Sequence, residues 1–185
     1  QSEPEHALMA LFASLMHLKD AIRHETEKQR NVTLDGAFPR IIAGAEQRMF
    51  YGGDAPLKSA ALRLRCMEAS ASLTVTSGQV TLPTDFLQAK RLAWPSARPP
   101  LYEAPESFFA NRYTDAGDSP LRYTVDGGTL YTSPPVSGTL TLTYFALPVA
   151  LDDESDSNVM LAAHPMLYFD ASLIETYRFL RNAEQ

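Results

Sequence analysis

The sequence predicts an α+β fold, in which a helical lobe formed by N- and C-terminal helices carries an inserted antiparallel β lobe, meander or sandwich-like. Three observations carry this expectation. Apolar residues near the start recur at helical spacing (Leu8, Leu11, Phe12, Leu15, Leu18, Ile22), and the last thirty residues are again helical in pattern. From Arg63 the period switches to two and holds, with interruptions, to Leu147. Within that span, Leu73–Trp94 contains a turn whose flanks match rung by rung. The expected organisation is 1–62 for N-terminal helices, 63–150 for the β lobe, and 151–185 for an acidic linker and C-terminal helices that complete the helical lobe.

In order, Ser2-Glu3-Pro4-Glu5 reads as a helix start, with Ser2 as cap and Glu5 three residues on. Asp20 with Arg23, and Arg23 with Glu27, are helix-surface pairs. A second helix is expected from Phe38 or Pro39 to Tyr51, capped by Asp35 and stopped by Gly52-Gly53, with Ile41, Ile42, Ala45 and Met49 inward. In the β lobe, Ser77-Gly78 predicts a two-residue hairpin turn. The implied rungs are Thr76 opposite Gln79, Val75 opposite Val80, Thr74 opposite Thr81 and Leu73 opposite Leu82, like meeting like throughout. Pro83 ends that strand and Leu87–Trp94 begins a third.

Pro99-Pro100 marks a bend before Leu101-Tyr102, and Pro105–Tyr113 reads as a short helix. Asp126-Gly127-Gly128 predicts a second hairpin, with Leu130 opposite either Val125 or Tyr123. Leu140, Leu142 and Tyr144 then alternate with Thr139, Thr141 and Thr143. Asp152–Asn158 is a polar linker, followed by a short helix near Asn158–Ala163 and a longer one opened by Pro165. The polar strip of that last helix, mainly Asp170, Ser172, Glu175, Thr176, Arg178 and Arg181, is narrow. A helix apolar around most of its girth needs cover on more than one side.

At 185 residues, 45% hydrophobic and 21% charged, the composition is that of a globular chain. Its single cysteine, Cys66, rules out an internal disulfide and a C-x-x-C metal site. No stretch has the roughly 18 consecutive apolar residues of a membrane span. The longest mostly apolar run, Ala7–Leu18, follows Glu3 and Glu5, whereas a signal peptide needs a basic front. Gln1 is not an initiator, so the chain is expected to have lost its true start. Net charge is −6, and residues 151–185 hold seven acidic against two basic side chains while the rest is nearly balanced. Such a balance gives no general attraction for phosphate backbones.

Chemistry-bearing motifs are sparse. His24-Glu25 begins a zinc-protease pattern, but Lys28 stands where the second histidine belongs, and His6, His17 and His24 read as a polar flank. Asp152, Glu154, Asp156 and Asn158 alternate as in a calcium loop, yet Ser157 and Ala163 replace its required Gly and Glu. Asp85 is expected to bond backbone amides of its turn. Cys66 reads as a small core residue in a strand. Trp94, Tyr102, Phe108, Phe109, Tyr113 and Tyr123 read as core aromatics, with a sugar-stacking face as the other possibility. Neither catalysis, cofactor nor metal is expected.

The order of certain pieces resembles the head-to-tail adaptor (connector) proteins of tailed bacteriophages and prophages. The matching stretches are Arg65-Cys66-Met67-Glu68-Ala69, Leu82-Pro83-Thr84-Asp85-Phe86, Pro100-Leu101 and Pro105-Glu106. They continue through Tyr123, Gly127-Gly128-Thr129-Leu130, Pro134-Pro135 and Leu140-Thr141-Leu142-Thr143-Tyr144. Leu147-Pro148, Leu151, Asn158 and His164-Pro165-Met166-Leu167-Tyr168 complete the set. Similar proteins often carry Trp just after the equivalent of Asn158, where this chain has Val159. The resemblance implies a virion structural protein, assembled in the host cytoplasm. It implies a homo-oligomeric ring, typically of twelve copies, beneath the portal protein. The ring would meet a tail, tail-terminator or nozzle protein and lead DNA through without sequence-specific binding, with no membrane partner. Apolar excess and position nominate Leu11, Phe12, Leu15, Tyr168, Ile174, Tyr177, Phe179 and Arg181 as oligomer or portal interface. The competing expectation is a monomeric β-rich glycan- or protein-binding module with helical flanks.

Overall fold

A computed structural model describes residues 13–27, 32–53, 60–95, 99–111 and 117–183. The helix start at Ser2–Glu5, His6, Leu8, Leu11, Phe12, Lys28 and Tyr113 lie outside the described residues. The architecture is α+β, and the chain divides into two compact units, Glu68–Leu147 and the two flanks that run up to Met67 and on from Pro148.

In the flanking unit, α1 (Leu15–Glu25) buries Leu15, Leu18 and Ile22. Its first amide groups lack intrahelical acceptors, and two find them in the acidic linker: Leu15 N–H donates to the Asp156 carbonyl and Met16 N–H to that of Glu154. The second helix, α2, spans Val32–Tyr51 and so starts well before Phe38, with Pro39 inside it. Asp35 therefore lies in the first turn and does not cap; its carboxylate accepts from Arg23 Nε at 2.9 Å. Proline in a helix interior costs about 3 kcal/mol. Burying Leu34 and Phe38, both at most 1% exposed, offsets it at about 1.5–3 kcal/mol each. Ile41, Ile42, Ala45 and Met49 are buried as expected.

After a short 3-10 turn at Arg65–Met67, β1 (Glu68–Val75) opens the second unit. Cys66 sits in that turn, not in a strand, half-buried with its Sγ 3.6 Å from Met160 Sδ. The remaining strands are β2 (Gln79–Thr81), β3 (Phe86–Ala93), β4 (Leu101–Tyr102), β5 (Arg122–Asp126), β6 (Thr129–Ser133) and β7 (Gly138–Ala146). A short helix, α3 (Pro105–Ala110), follows β4. The strands form two sheets, ordered β1-β7-β3 and β2-β6-β5-β4. The expected hairpin survives for one rung only, Thr76 with Gln79. Beyond it β1 pairs with β7 over eight positions, Leu73 opposite Leu140, while β2 pairs with β6, Val80 opposite Leu130.

The turn is thus a corner between sheets, not the tip of a meander. Gly78 fastens it by donating to the Val136 carbonyl and accepting from Thr132 N–H. The alternation in β1 predicted which side chains face inward and said nothing of the neighbour, because period two is satisfied by any partner in phase. The second hairpin takes the register that sets Val125 opposite Leu130. Val75, Leu82, Leu92, Tyr123, Leu130, Leu140, Leu142 and Tyr144 form one core shared by the two sheets.

In the flanking unit the chain resumes with α4 (Val159–Ala163) and α5 (Pro165–Ala183). Asn158 caps α4, its side-chain oxygen accepting from the amides of Met160 and Leu161. Helices α2 and α5 pack together with small residues between them. Ser172 and Thr176, expected in the polar strip, are fully buried, and each hydroxyl donates to the carbonyl four residues back. Across from them, a Cβ at Gly44 would stand 3.3 Å from Glu175 Cγ.

Candidate functional site

Turning Ser172 and Thr176 inward rotates other residues of α5 outward. Met166, Ile174 and Tyr177 are 44%, 40% and 51% exposed, too much for core positions. With Asp170 and Arg181 they form one stripe, since steps of three, four and eight residues return to the same helix face. Val159 of α4 is likewise exposed. Among the nominated interface residues, Ile174, Tyr177 and Arg181 are therefore brought together on a free surface. Leu15 and Tyr168 are not; both are buried in the core of their own unit. Phe179 is half-buried, and Leu11 and Phe12 lie outside the described residues. Sequence reasoning missed Met166 and Val159, although the spacing of Met166 from Ile174 and Tyr177 was a usable signal.

Phe179 belongs to a groove between α2 and α5 of about 470 Å³, lined by Arg40, Ile41, Glu175, Arg178, Phe179 and Asn182. Glu175 is held from two sides, by Arg48 and by Arg178 Nη1 at 3.2 Å. Arg40 joins no ion pair among the described residues and is exposed. The groove thus presents guanidinium groups beside an apolar wall.

Across α2, the Tyr168 hydroxyl donates to Glu46, and Asn158 Nδ2 donates to the Val149 carbonyl at 2.8 Å while lying 3.5 Å from the Tyr168 hydroxyl. Burial pushes the Glu46 carboxyl up; the Tyr168 hydrogen bond opposes this and the Asp152 charge adds to it. The Tyr168 phenol is pushed well up, first by burial and then by the Glu46 charge. This acid–phenol contact lies inside the unit, and Glu46 also lines a small pocket with Leu151 and Asp152.

In the β unit a cleft of about 430 Å³ is lined by Phe86–Ala89, Tyr102, Tyr123 and Val125. Tyr102 stands edge-on to Tyr123 with centroids 5.5 Å apart. The other aromatics do not join them in an open face: Phe108 is buried, Phe109 packs on Tyr131, and the Trp94 ring lies over Gly138. Asp85 accepts from the Tyr144 hydroxyl at 3.0 Å, not from the turn amides expected to hold it. His17 and His24 are exposed on α1. In the acidic linker, Asp156 accepts from the amides of Asp152 and Asp153, and Asp153 accepts from Ser155. Among the described residues no group of three or more His, Cys, Asp or Glu is placed to hold a metal, and no helix is long and apolar enough to cross a membrane.

The family model described as SU10 adaptor protein matches residues 14–185. No curated protein matches the chain.

Proposed function

We propose, from the premise that this chain belongs to the SU10 adaptor protein family of phage adaptors, that it forms a homo-oligomeric ring, of twelve copies, between portal and tail. The observation that supports this reading is the outward stripe of α5. Three large apolar side chains at 40% exposure or more, aligned on one helix face, form a patch that a neighbouring subunit covers. A ring requires that the covering surface be a different one on the next copy, so that the contact repeats around an axis.

Within that ring the portal protein takes one end and a tail or nozzle protein the other, and the chain becomes a component of the virion after assembly in the host cytoplasm. DNA is led through the centre without sequence-specific contact. An overall charge of −6 supports this, because holding the polymer would require a surplus of cations to displace its counterions. The chain works by assembly rather than by catalysis.

Light scattering of the purified chain, alone and mixed with its portal, followed by negative-stain imaging, tests the proposal. Ring-shaped particles or a portal-bound collar are expected. A chain that stays monomeric with the portal present, and instead retains a saccharide through the Tyr102–Tyr123 cleft, would overturn it in favour of a binding module.

A further inference from the structure

Two charged features of the flanking unit lie on opposite sides of α2. On one side is the groove with Arg40, Arg178 and Asn182, reached through Arg40, Ile41, Gly44 and Arg48 of α2. On the other is the 152–156 linker, whose Asp152 adjoins Pro39, Ile42, Ala43 and Glu46. At about 100° per residue these two sets of positions fall on opposed faces of one helix.

The linker is held in shape before it meets anything. Asp156 gathers the amides of Asp152 and Asp153, Asp153 holds Ser155, and the carbonyls of Glu154 and Asp156 cap α1. Asp152, Asp153 and Glu154 are nevertheless exposed, and Lys19, 3.6 Å from Glu154, is the one cation paired to the loop among the described residues. The groove has the converse balance: Arg40 and Arg178 line it with the single carboxylate of Glu175, which Arg48 and Arg178 already pair.

We propose that the Arg40–Arg178 groove of one copy receives the acidic 152–156 loop of the next, as a head-to-tail contact of the ring. This rests on the ring reading above and adds to it which surfaces meet. Opposite charge on opposite sides of one element is the arrangement a heterologous contact needs, since each subunit offers one half of the contact and accepts the other. The charges set register and partner choice, while apolar surface such as Phe179 and the α5 stripe supplies burial.

Charge reversal tests it on the full chain. Arg40→Glu and Asp153→Lys, both at exposed positions, should each retain the circular dichroism spectrum, the second with a lower melting temperature because Asp153 also holds Ser155, while lowering the ring population, alone or on the portal, by about 10-fold or more. The Arg40→Glu/Asp153→Lys double variant should assemble again, and so should an equimolar mixture of the two single variants, which can alternate around the ring. Restoration by mixing is a result that misfolding does not produce. Raising ionic strength to about 1 M, where screening is nearly complete beyond 3 Å, should weaken the wild-type ring. Single variants that assemble like wild type, or folded variants that neither the double change nor mixing restores, would overturn this contact and leave the ring standing. A wild-type chain that forms no ring under any of these conditions would remove both.

Discussion

Glu46 accepts a hydrogen bond from Tyr168 inside a helical unit, and nothing in the spacing of apolar residues announces that pair. Tyr168 stood out in the sequence as one aromatic in an apolar helix, and its hydroxyl needed a partner that pattern reading does not name. Asp85 is the same case: its role as a hydrogen-bond acceptor was legible, its partner Tyr144 was not, because the two meet only once β3 and β7 have paired. The Glu46 contact has a pH consequence. Its carboxyl is raised above its ordinary value in the fold, chiefly by burial, so the folded chain favours the protonated form. The corresponding stability is fully present below the unfolded value and is lost as pH rises through the folded one. Glu46→Gln stays neutral and still accepts from Tyr168. Urea unfolding at pH 4 should find variant and wild type alike, and at pH 7 the variant more stable. A Gln variant weaker than wild type at pH 7 would show that the ionised carboxylate stabilises the fold.

Elements were legible in kind and inward face, and much less so in partner. β1 and β7 present the alternating faces their sequences predict, yet β1 and β2 part after one rung because each has a longer or better-placed neighbour across the corner. Gly78 holds that corner at φ +79°, with a virtual Cβ 2.8 Å from Pro135 Cα. Gly78→Ala should therefore cost about 1–3 kcal/mol, combining a left-handed backbone with a backbone clash. Helix α5 shows a different limit. Around an apolar girth the sequence cannot say which side is covered by its own chain, and the buried side turned out to be the one with Ser172 and Thr176. Ser172→Leu should overpack the α2–α5 contact and cost about 1–3 kcal/mol in urea unfolding, although by hydrophobicity alone it looks favourable. A neutral or stabilising result would mean the two helices are free to separate.

For the whole molecule, the division into a continuous β unit and a discontinuous helical unit has consequences for both folding and assembly. The β unit begins and ends on paired strands, Glu68 opposite Phe145, and encloses its own core, so residues 68–147 expressed alone should unfold in one cooperative transition by circular dichroism. The helical unit depends on segments from both ends of the chain, and its α5 meets two demands with two faces. Ile174 lies on the outward stripe, so Ile174→Asp should change monomer stability by no more than about 0.5 kcal/mol while abolishing the ring. Phe179 is half-buried in the groove, so Phe179→Asp places a carboxylate against an apolar wall and should lower stability itself by about 1–3 kcal/mol. Thermal melts paired with light scattering separate the two effects. An Ile174→Asp chain that still formed rings would show that the outward stripe is not the surface by which the copies meet.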